Sequence, residues 1–356
     1  MPFAAMAETR KAPRNHVFII DGTLSRVDDD TCLTHPGRLH AMLSGGGAGL
    51  RQTLGYDRGV QGTGLSKWID AAIGRGFNDS VIAGYAALAS RYRPGDRIFL
   101  FGFSRGAYAV RSIAGLIDRV GLLRRSEATE RNVQRAFRYY RRAERTAATR
   151  AFARDSCHAA VDIACIGAWD TVKALGLPYP LLSRVFPMAA EFHDHELGPS
   201  VRAAYHALAI DEDRTAYAPI LWERGVWAGH LEQVWFPGTH GDIGGERNCL
   251  IPPIPLTNIS FVWMLERAEA QGLILPEGWR AAFPVDPAAP MAGSRTGINR
   301  LFLIRRPREA APGTDGQAVH DSVGARTAQV RGYRPLAEGI KPPVPTARTP
   351  LDIPHG

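Results

Sequence analysis

Cysteine is scarce in this chain and poorly spaced for thiol chemistry. The four residues, Cys32, Cys157, Cys165 and Cys249, form no Cys-x-x-Cys pair and no finger-type pattern. That argues against a disulfide framework and fits reduced thiols in a cytoplasmic protein. Long apolar runs are missing too. No stretch approaches the roughly eighteen consecutive apolar residues from which a membrane-spanning helix is read. Met1 to Pro13 is Ala-rich, carries Glu8 and lacks an apolar core. We therefore expect no signal peptide there, and residues 1–15 read as a disordered N-terminus. No internal repeat is visible, and no linker is clear enough to cut off a second domain. Acidic charge is in the minority, 35 Asp and Glu against 43 Lys and Arg, for a net +8. Anionic partners such as phospholipid headgroups or nucleic acid are thereby favoured, without any consequence for the fold. The 45% hydrophobic content supplies a substantial core.

What is present is a series of strand-like runs that end in chemically useful residues. His16–Ile20 leads to Asp21-Gly22-Thr23, and Gln52–Asp57 is a second short strand. Arg97–Phe103 leads directly to Ser104, inside Gly102-Phe103-Ser104-Arg105-Gly106. Val161–Trp169 ends at Asp170, the run from Tyr205 ends at Asp211, and Gln233–Thr239 ends at His240. Between them lie helical patterns. Asn78–Arg91 is one. A second starts after the serine, with Ala107, Val110, Ala114 and Ile117 on one face, and a third spans Asn258–Gln271. Alternation of this kind predicts an α/β fold, a mostly parallel sheet with helices on both faces. The Gly-rich segment Thr31–Gly49 reads as a loop. Insertions are expected at about 121–158 and 173–204, the second with the Pro-broken composition of a cap. The catalytic domain is expected over 16–334, with an extended or disordered tail over 335–356.

A strand, then Gly-x-Ser-x-Gly, then a helix is the context of a nucleophile elbow. Gly102 and Gly106 are expected to permit close backbone approach around Ser104. In a parallel sheet chemistry collects beyond the carboxyl ends of the strands, where Asp21, Ser104, Asp170, Asp211 and His240 all fall. A serine hydroxyl needs a base, His240 suits that role, and a carboxylate must orient the imidazole. Two acids compete. Counting the His16 strand as the third of an α/β-hydrolase sheet puts Asp170 after strand six and Asp211 after strand seven, which tilts the choice to Asp211. Against that, Asp211-Glu212-Asp213-Arg214 reads equally as an ion-pair turn, and Asp170 has fewer charged neighbours. The oxyanion donors are expected from the backbone N–H of Arg105 and from the loop at Gly22 and Thr23. Asp21 and Asp242 are assigned to structural support of the site.

Other chemistries fit less well. Asp21 with Asp242 lacks a third metal ligand, so no metal and no cofactor is expected. Ile20-Asp21-Gly22-Thr23 resembles the Asp-x-Asp-Gly-Thr motif of haloacid-dehalogenase-type phosphatases, but Ile19 stands where the nucleophilic Asp is required. Ser126–Arg150 is basic and amphipathic, with Val133, Phe137 and Tyr140 on one face. It reads as a solvated insertion, with a membrane-surface helix as the alternative. It has too few aromatics and no motif for nucleic-acid binding.

The motifs together resemble the α/β-hydrolase family of bacterial type VI secretion phospholipase effectors. The likeness rests on Ile20–Thr23, Gly102–Ala107, Trp169-Asp170-Thr171-Val172, His206–Glu212, Trp235–Gly245 and His320–Val323, in family order. It implies a Ser–His–Asp phospholipase, exported by a type VI system and neutralised by an immunity protein, with peripheral membrane contact through the basic surface. A general esterase on a non-lipid substrate is the alternative. Ser25 replaces the usual Asn, Gly244-Gly245-Glu246 lacks a third Gly, and the large membrane-binding module of the longer effectors is absent from this chain.

Overall fold

The computed structural model describes residues 12–22, 33–45, 51–59, 76–142, 145–172, 196–245, 255–293 and 302–340. Seven strands build one sheet: β1 (Asn15–Ile20), β2 (Gln52–Asp57), β3 (Arg97–Phe103), β4 (Ile163–Trp169), β5 (Val201–Ala209), β6 (His230–Phe236) and β7 (Gln317–Val319). They lie in the order β2-β1-β3-β4-β5-β6-β7. Every pairing is parallel, so the fold is α/β as the sequence predicts.

Alternation along the strands sends residues to two separate cores. Phe18, Ile20, Ile98 and Leu100 face one side and bury against α2 (Phe77–Ala89), α3 (Arg105–Val120) and α4 (Glu130–Arg141). Val17, Ile19, Phe99, Phe101 and Phe103 face the other, against α1 (His35–Ser44) and the long α7 (Pro255–Ala270). Sealing both faces explains why β3 and β4 read as continuous apolar runs rather than alternating ones.

Several expectations need correction. Thr31–Gly49 is not all loop, because it contains α1. Thr34 caps that helix by accepting the Gly37 N–H, a proline sits in its first turn, and Leu39 and Leu43 bury one turn apart. The basic insertion is two helices, α4 and α5 (Ala147–Ser156). Val133, Ala136, Phe137 and Tyr140 of α4 are buried in the first core, which removes its apolar face from any membrane role. Arg131, Arg135, Arg138 and Arg141 stay exposed. The second insertion is shorter than expected, since β5 begins at Val201; residues 173–195 lie outside the described residues. Beyond the expected boundary at 334 the chain is still packed: Ala337 N–H donates to Ile210 O at 3.0 Å and Glu338 N–H to Arg308 O at 2.8 Å.

Candidate active site

The sheet register brings the strand ends level. Ile20 pairs with Gly102, Phe103 with Trp169, and Trp169 with Ala207, so the residues that follow meet on one rim. Ser104 closes β3 and opens α3 with φ 57° and ψ −119°, a strained turn for a residue with a side chain. The tightness is measurable: a Cβ on Gly102 would lie 2.4 Å from Gly106 O, and one on Gly106 2.3 Å from Ile20 O. As the N-cap residue of α3, Ser104 makes no side-chain capping bond. Its Oγ instead lies 3.0 Å from His240 Nε2. The positive end of a 16-residue helix begins at the next peptide, Arg105.

His240 opens the short helix α6 (His240–Gly244). Thr239 and Asp242 form a reciprocal capping box there. Asp242 Oδ2 accepts from Thr239 N–H and Oγ1, each at 2.8 Å, and Oδ1 accepts from Ala292 N–H. The imidazole lies between two rings, Phe103 and Tyr217, each with its centroid 4.7 Å away. Phe302 packs on Tyr217 at 5.5 Å, and the next two residues, Leu303 and Ile304, are 78% and 50% exposed. Tyr217 and Phe302 thus put aromatic surface beside His240, with the Arg214 guanidinium stacked over both rings.

The carboxylate at His240 Nδ1 belongs to Asp170, at 2.5 Å. Its backbone stands at φ 44°, in the left-handed region. Oδ1 accepts from Ala209 N–H at 3.0 Å, and Arg308 donates to both oxygens, 2.6 and 2.8 Å. Burial opposes ionisation of Asp170, but the charge and hydrogen bonds of Arg308, with His240 adding, hold it far below the usual carboxylate range. Asp211, towards which the strand count leaned, is elsewhere. It accepts from Gly238 N–H (2.8 Å), Tyr333 Oη (2.8 Å) and Leu336 N–H (3.3 Å). Burial pushes its carboxyl up to about 6 against those hydrogen bonds. It braces the loop that delivers His240 and does not touch the imidazole. The ion-pair turn exists, with Glu212 as its acid: Arg214 grips both Glu212 oxygens, and Oε2 accepts the His240 N–H at 3.1 Å.

Asp21 accepts from Gly22 N–H (2.6 Å), Thr34 Oγ1 (2.7 Å) and Tyr56 Oη (2.6 Å). It ties the loop after β1 to α1 and β2. Gly22 N–H is thus engaged by its neighbour, and Thr23 lies outside the described residues. His206 is buried, accepts the Thr171 N–H at 3.0 Å and is held down to about 3, chiefly by burial. His230 is exposed on Glu232, while His193 and His195 lie outside the described residues. Among the described residues, no three His, Cys, Asp or Glu side chains group as a metal site would require, nor is any helix long and apolar enough to cross a membrane.

A family model described as "T6SS, Phospholipase effector Tle1-like, catalytic domain" matches residues 14–267. The chain belongs to this family. A yeast protein, "Uncharacterized protein YEL023C" of Saccharomyces cerevisiae, is 30% identical over 164 residues, 42% of this chain and 22% of that protein. Among solved structures, an uncharacterized protein from Pseudomonas aeruginosa aligns with TM-score 0.48 and 16% identity, over 78% of this chain and 50% of that one. The Tle1 effector bound to the VgrG spike of the type 6 secretion system aligns with TM-score 0.39 and 17% identity, over 67% and 52%. The chain therefore spans about half the length of these solved relatives and about a fifth of the yeast protein.

The span matched to the Tle1-like family contains Ser104, Asp170 and His240 and stops short of Arg308. Arg308 and Tyr217 are the site residues that sequence reasoning missed. Neither sits in a motif, and only the fold brings them to Asp170 and His240.

Proposed function

We propose that this Tle1-like domain is a serine hydrolase that cleaves the carboxylic esters of glycerophospholipids. The observation that carries the reading is the continuous chain from Ser104 Oγ to His240 Nε2 at 3.0 Å and from His240 Nδ1 to Asp170 at 2.5 Å. Ser104 attacks the acyl carbon while its proton passes to His240 Nε2. Asp170 holds the imidazole by Nδ1–H and stabilises its charged form. The oxyanion is bound at the start of α3, with Arg105 N–H as the first donor; Gly22, the other described residue expected to contribute, is engaged by Asp21. Collapse of the tetrahedral intermediate breaks the C–O bond, and His240 returns the proton to the leaving alcohol. Water then repeats the sequence on the acyl-enzyme.

Membership of a phospholipase effector family and the aromatic surface of Tyr217 and Phe302, followed in the chain by the exposed Leu303 and Ile304, support a lipid acyl chain as the group bound. Family membership also supports delivery by a type VI secretion system, with an immunity protein as a partner. The exposed arginines of α4 suit contact with an anionic headgroup surface. The test is a hydrolysis panel of short p-nitrophenyl esters and phospholipid vesicles on wild type and Ser104→Ala, with fluorophosphonate labelling. Lipid cleavage and labelling by wild type alone are expected. Equal hydrolysis by both proteins removes Ser104 from the chemistry, and cleavage of short esters only assigns the site to a non-lipid substrate.

A further inference from the structure

Arg308 lies outside every motif of the sequence and outside the family-matched span, yet it is among the most committed side chains of the site. It is 6% exposed. Nη1 donates to Asp170 Oδ1 (2.6 Å) and Ala209 O (3.0 Å), and Nη2 donates to Asp170 Oδ2 (2.8 Å) and Tyr217 O (2.5 Å). A guanidinium fork on a carboxylate fixes the plane of both groups, which a single donor would not do. Here that plane decides which oxygen His240 meets. Asp170 Oδ1 is occupied by Arg308 and Ala209 N–H, leaving Oδ2 to share between Arg308 and the imidazole. The same guanidinium holds the carbonyl of Tyr217, whose ring covers His240.

The charge matters as well as the geometry. A buried ion pair adds little net stability over apolar packing of the same volume, so stability alone does not explain a cation at this place. The other charged groups near the imidazole act on partners other than Asp170: Arg105, buried at the start of α3, interacts with Tyr217. Glu212, at the His240 N–H, is gripped by Arg214, which itself stacks over Tyr217 at 3.9 Å. Asp242 is consumed by its own helix cap and Ala292, and His206 on β5, near Asp170, is kept neutral by burial. Arg308 is thus the cation that acts on Asp170 directly.

We propose that Arg308 is a positioning residue of the hydrolysis proposed above. It locks the Asp170 carboxylate so that Oδ2 faces His240 Nδ1, and its charge offsets that of the carboxylate beside the imidazole. Without the cation, the full negative charge of Asp170 stabilises the imidazolium, and the base is occupied by a proton up to higher pH. This inference rests on the Ser104–His240–Asp170 reading, and its test is built to fail separately from it.

Wild type, R308Q and R308K are compared in two readouts. One is kcat and kcat/KM for a p-nitrophenyl ester across pH 4 to 9. The other is the NMR titration of the His240 ring, identified by its loss in H240Q. For R308Q the His240 midpoint and the acid limb of kcat/KM move up by about one unit or more, and kcat falls at least about tenfold. R308K keeps the charge but not the fork. Its midpoint returns to within a few tenths of wild type while kcat stays low. An R308Q protein with wild-type midpoint and kcat overturns the inference and leaves the hydrolase reading intact. A wild-type enzyme that cleaves no ester overturns the hydrolase reading, and with it the role given to Arg308, whatever the ring titration shows. If R308Q does not fold, R308K decides alone, because wild-type kcat in that protein excludes the positioning role.

Discussion

Substituting Asn for Asp170 and, separately, for Asp211 divides the two strand-end acids by function. At Asp170 the amide has no good orientation. With its oxygen towards Ala209 N–H and Arg308 Nη1, its NH2 confronts Arg308 Nη2 and His240 Nδ1. The imidazole must then accept at Nδ1 and carry its proton on Nε2, so it shows Ser104 an N–H in place of a lone pair. With the opposite flip, two donors meet the NH2 from the other side. The equivalent wrong-tautomer substitution in serine proteases costs about 10⁴ in kcat, or about 5.4 kcal/mol at 1.36 kcal/mol per tenfold. A second penalty of about 3–5 kcal/mol falls on the fold, because Arg308 keeps its charge and loses its counter-ion. Asp211→Asn disturbs only contacts to Gly238, Tyr333 and Leu336, so kcat stays within about tenfold of wild type. Initial rates of ester hydrolysis on folded protein, checked by circular dichroism and thermal melts, read both outcomes. A folded Asp170→Asn enzyme with near wild-type kcat, or inactivation by Asp211→Asn alone, refutes the reasoning.

Two further perturbations probe the frame of the site. Gly106→Ala forces a Cβ to within 2.3 Å of the Ile20 carbonyl; a loss of about 1–3 kcal/mol in urea unfolding is expected, with a lower kcat because Arg105 N–H moves with the turn, and an unchanged protein would show the elbow to be looser than this. Asp211 should leave a signature in pH-dependent stability. Its folded value near 6 lies above the ordinary 3.8, so its protonated form favours the fold, its contribution is full below about pH 4, and it is lost as pH rises through 6. A rise of about two units corresponds to about 3 kcal/mol. Wild type should therefore lose on that order between pH 4 and 7 relative to Asp211→Asn, and parallel stability curves for the two proteins would show that Asp211 titrates normally.

What the sequence made legible was local. The serine announces itself because an elbow needs a strand, two glycines and a helix within about a dozen consecutive residues, and all are written side by side. His240 shows for a similar reason, at the end of an apolar strand. The acid did not show, because Asp170 and Asp211 both follow strands and differ only in what lies across space from them. Nothing in a linear pattern says that β4 rather than β5 ends beneath the imidazole, nor that an arginine 138 positions from Asp170 will meet its carboxylate. The helix α1 was hidden differently. Its cap Thr34 and its first-turn proline were readable signals, but the run Gly45-Gly46-Gly47 beyond its end gave the whole segment the composition of a loop.

The two carboxylates that competed in the sequence hold different parts of the site, and the reason lies in their oxygens. Asp170 has none to spare: Ala209 N–H, two guanidinium nitrogens and the imidazole fill its acceptor positions. It fixes the ring of His240 and leaves nothing for the backbone that carries that ring. Gly238, two residues before the histidine, has φ 123°, a conformation that L side chains rarely adopt, so the approach to His240 depends on being held from outside. Asp211 supplies that hold through Gly238 N–H and anchors it to Tyr333 and Leu336, in the last described stretch of chain. The site thus depends on residues far along the chain twice over, through Arg308 at one acid and through Tyr333 and Leu336 at the other. Truncation before residue 308 removes both supports at once. The Asp170 carboxylate would then keep only Ala209 N–H and the imidazole itself as partners, and the backbone at His240 would rest on the capping box of α6 and the Glu212–His240 N–H bond.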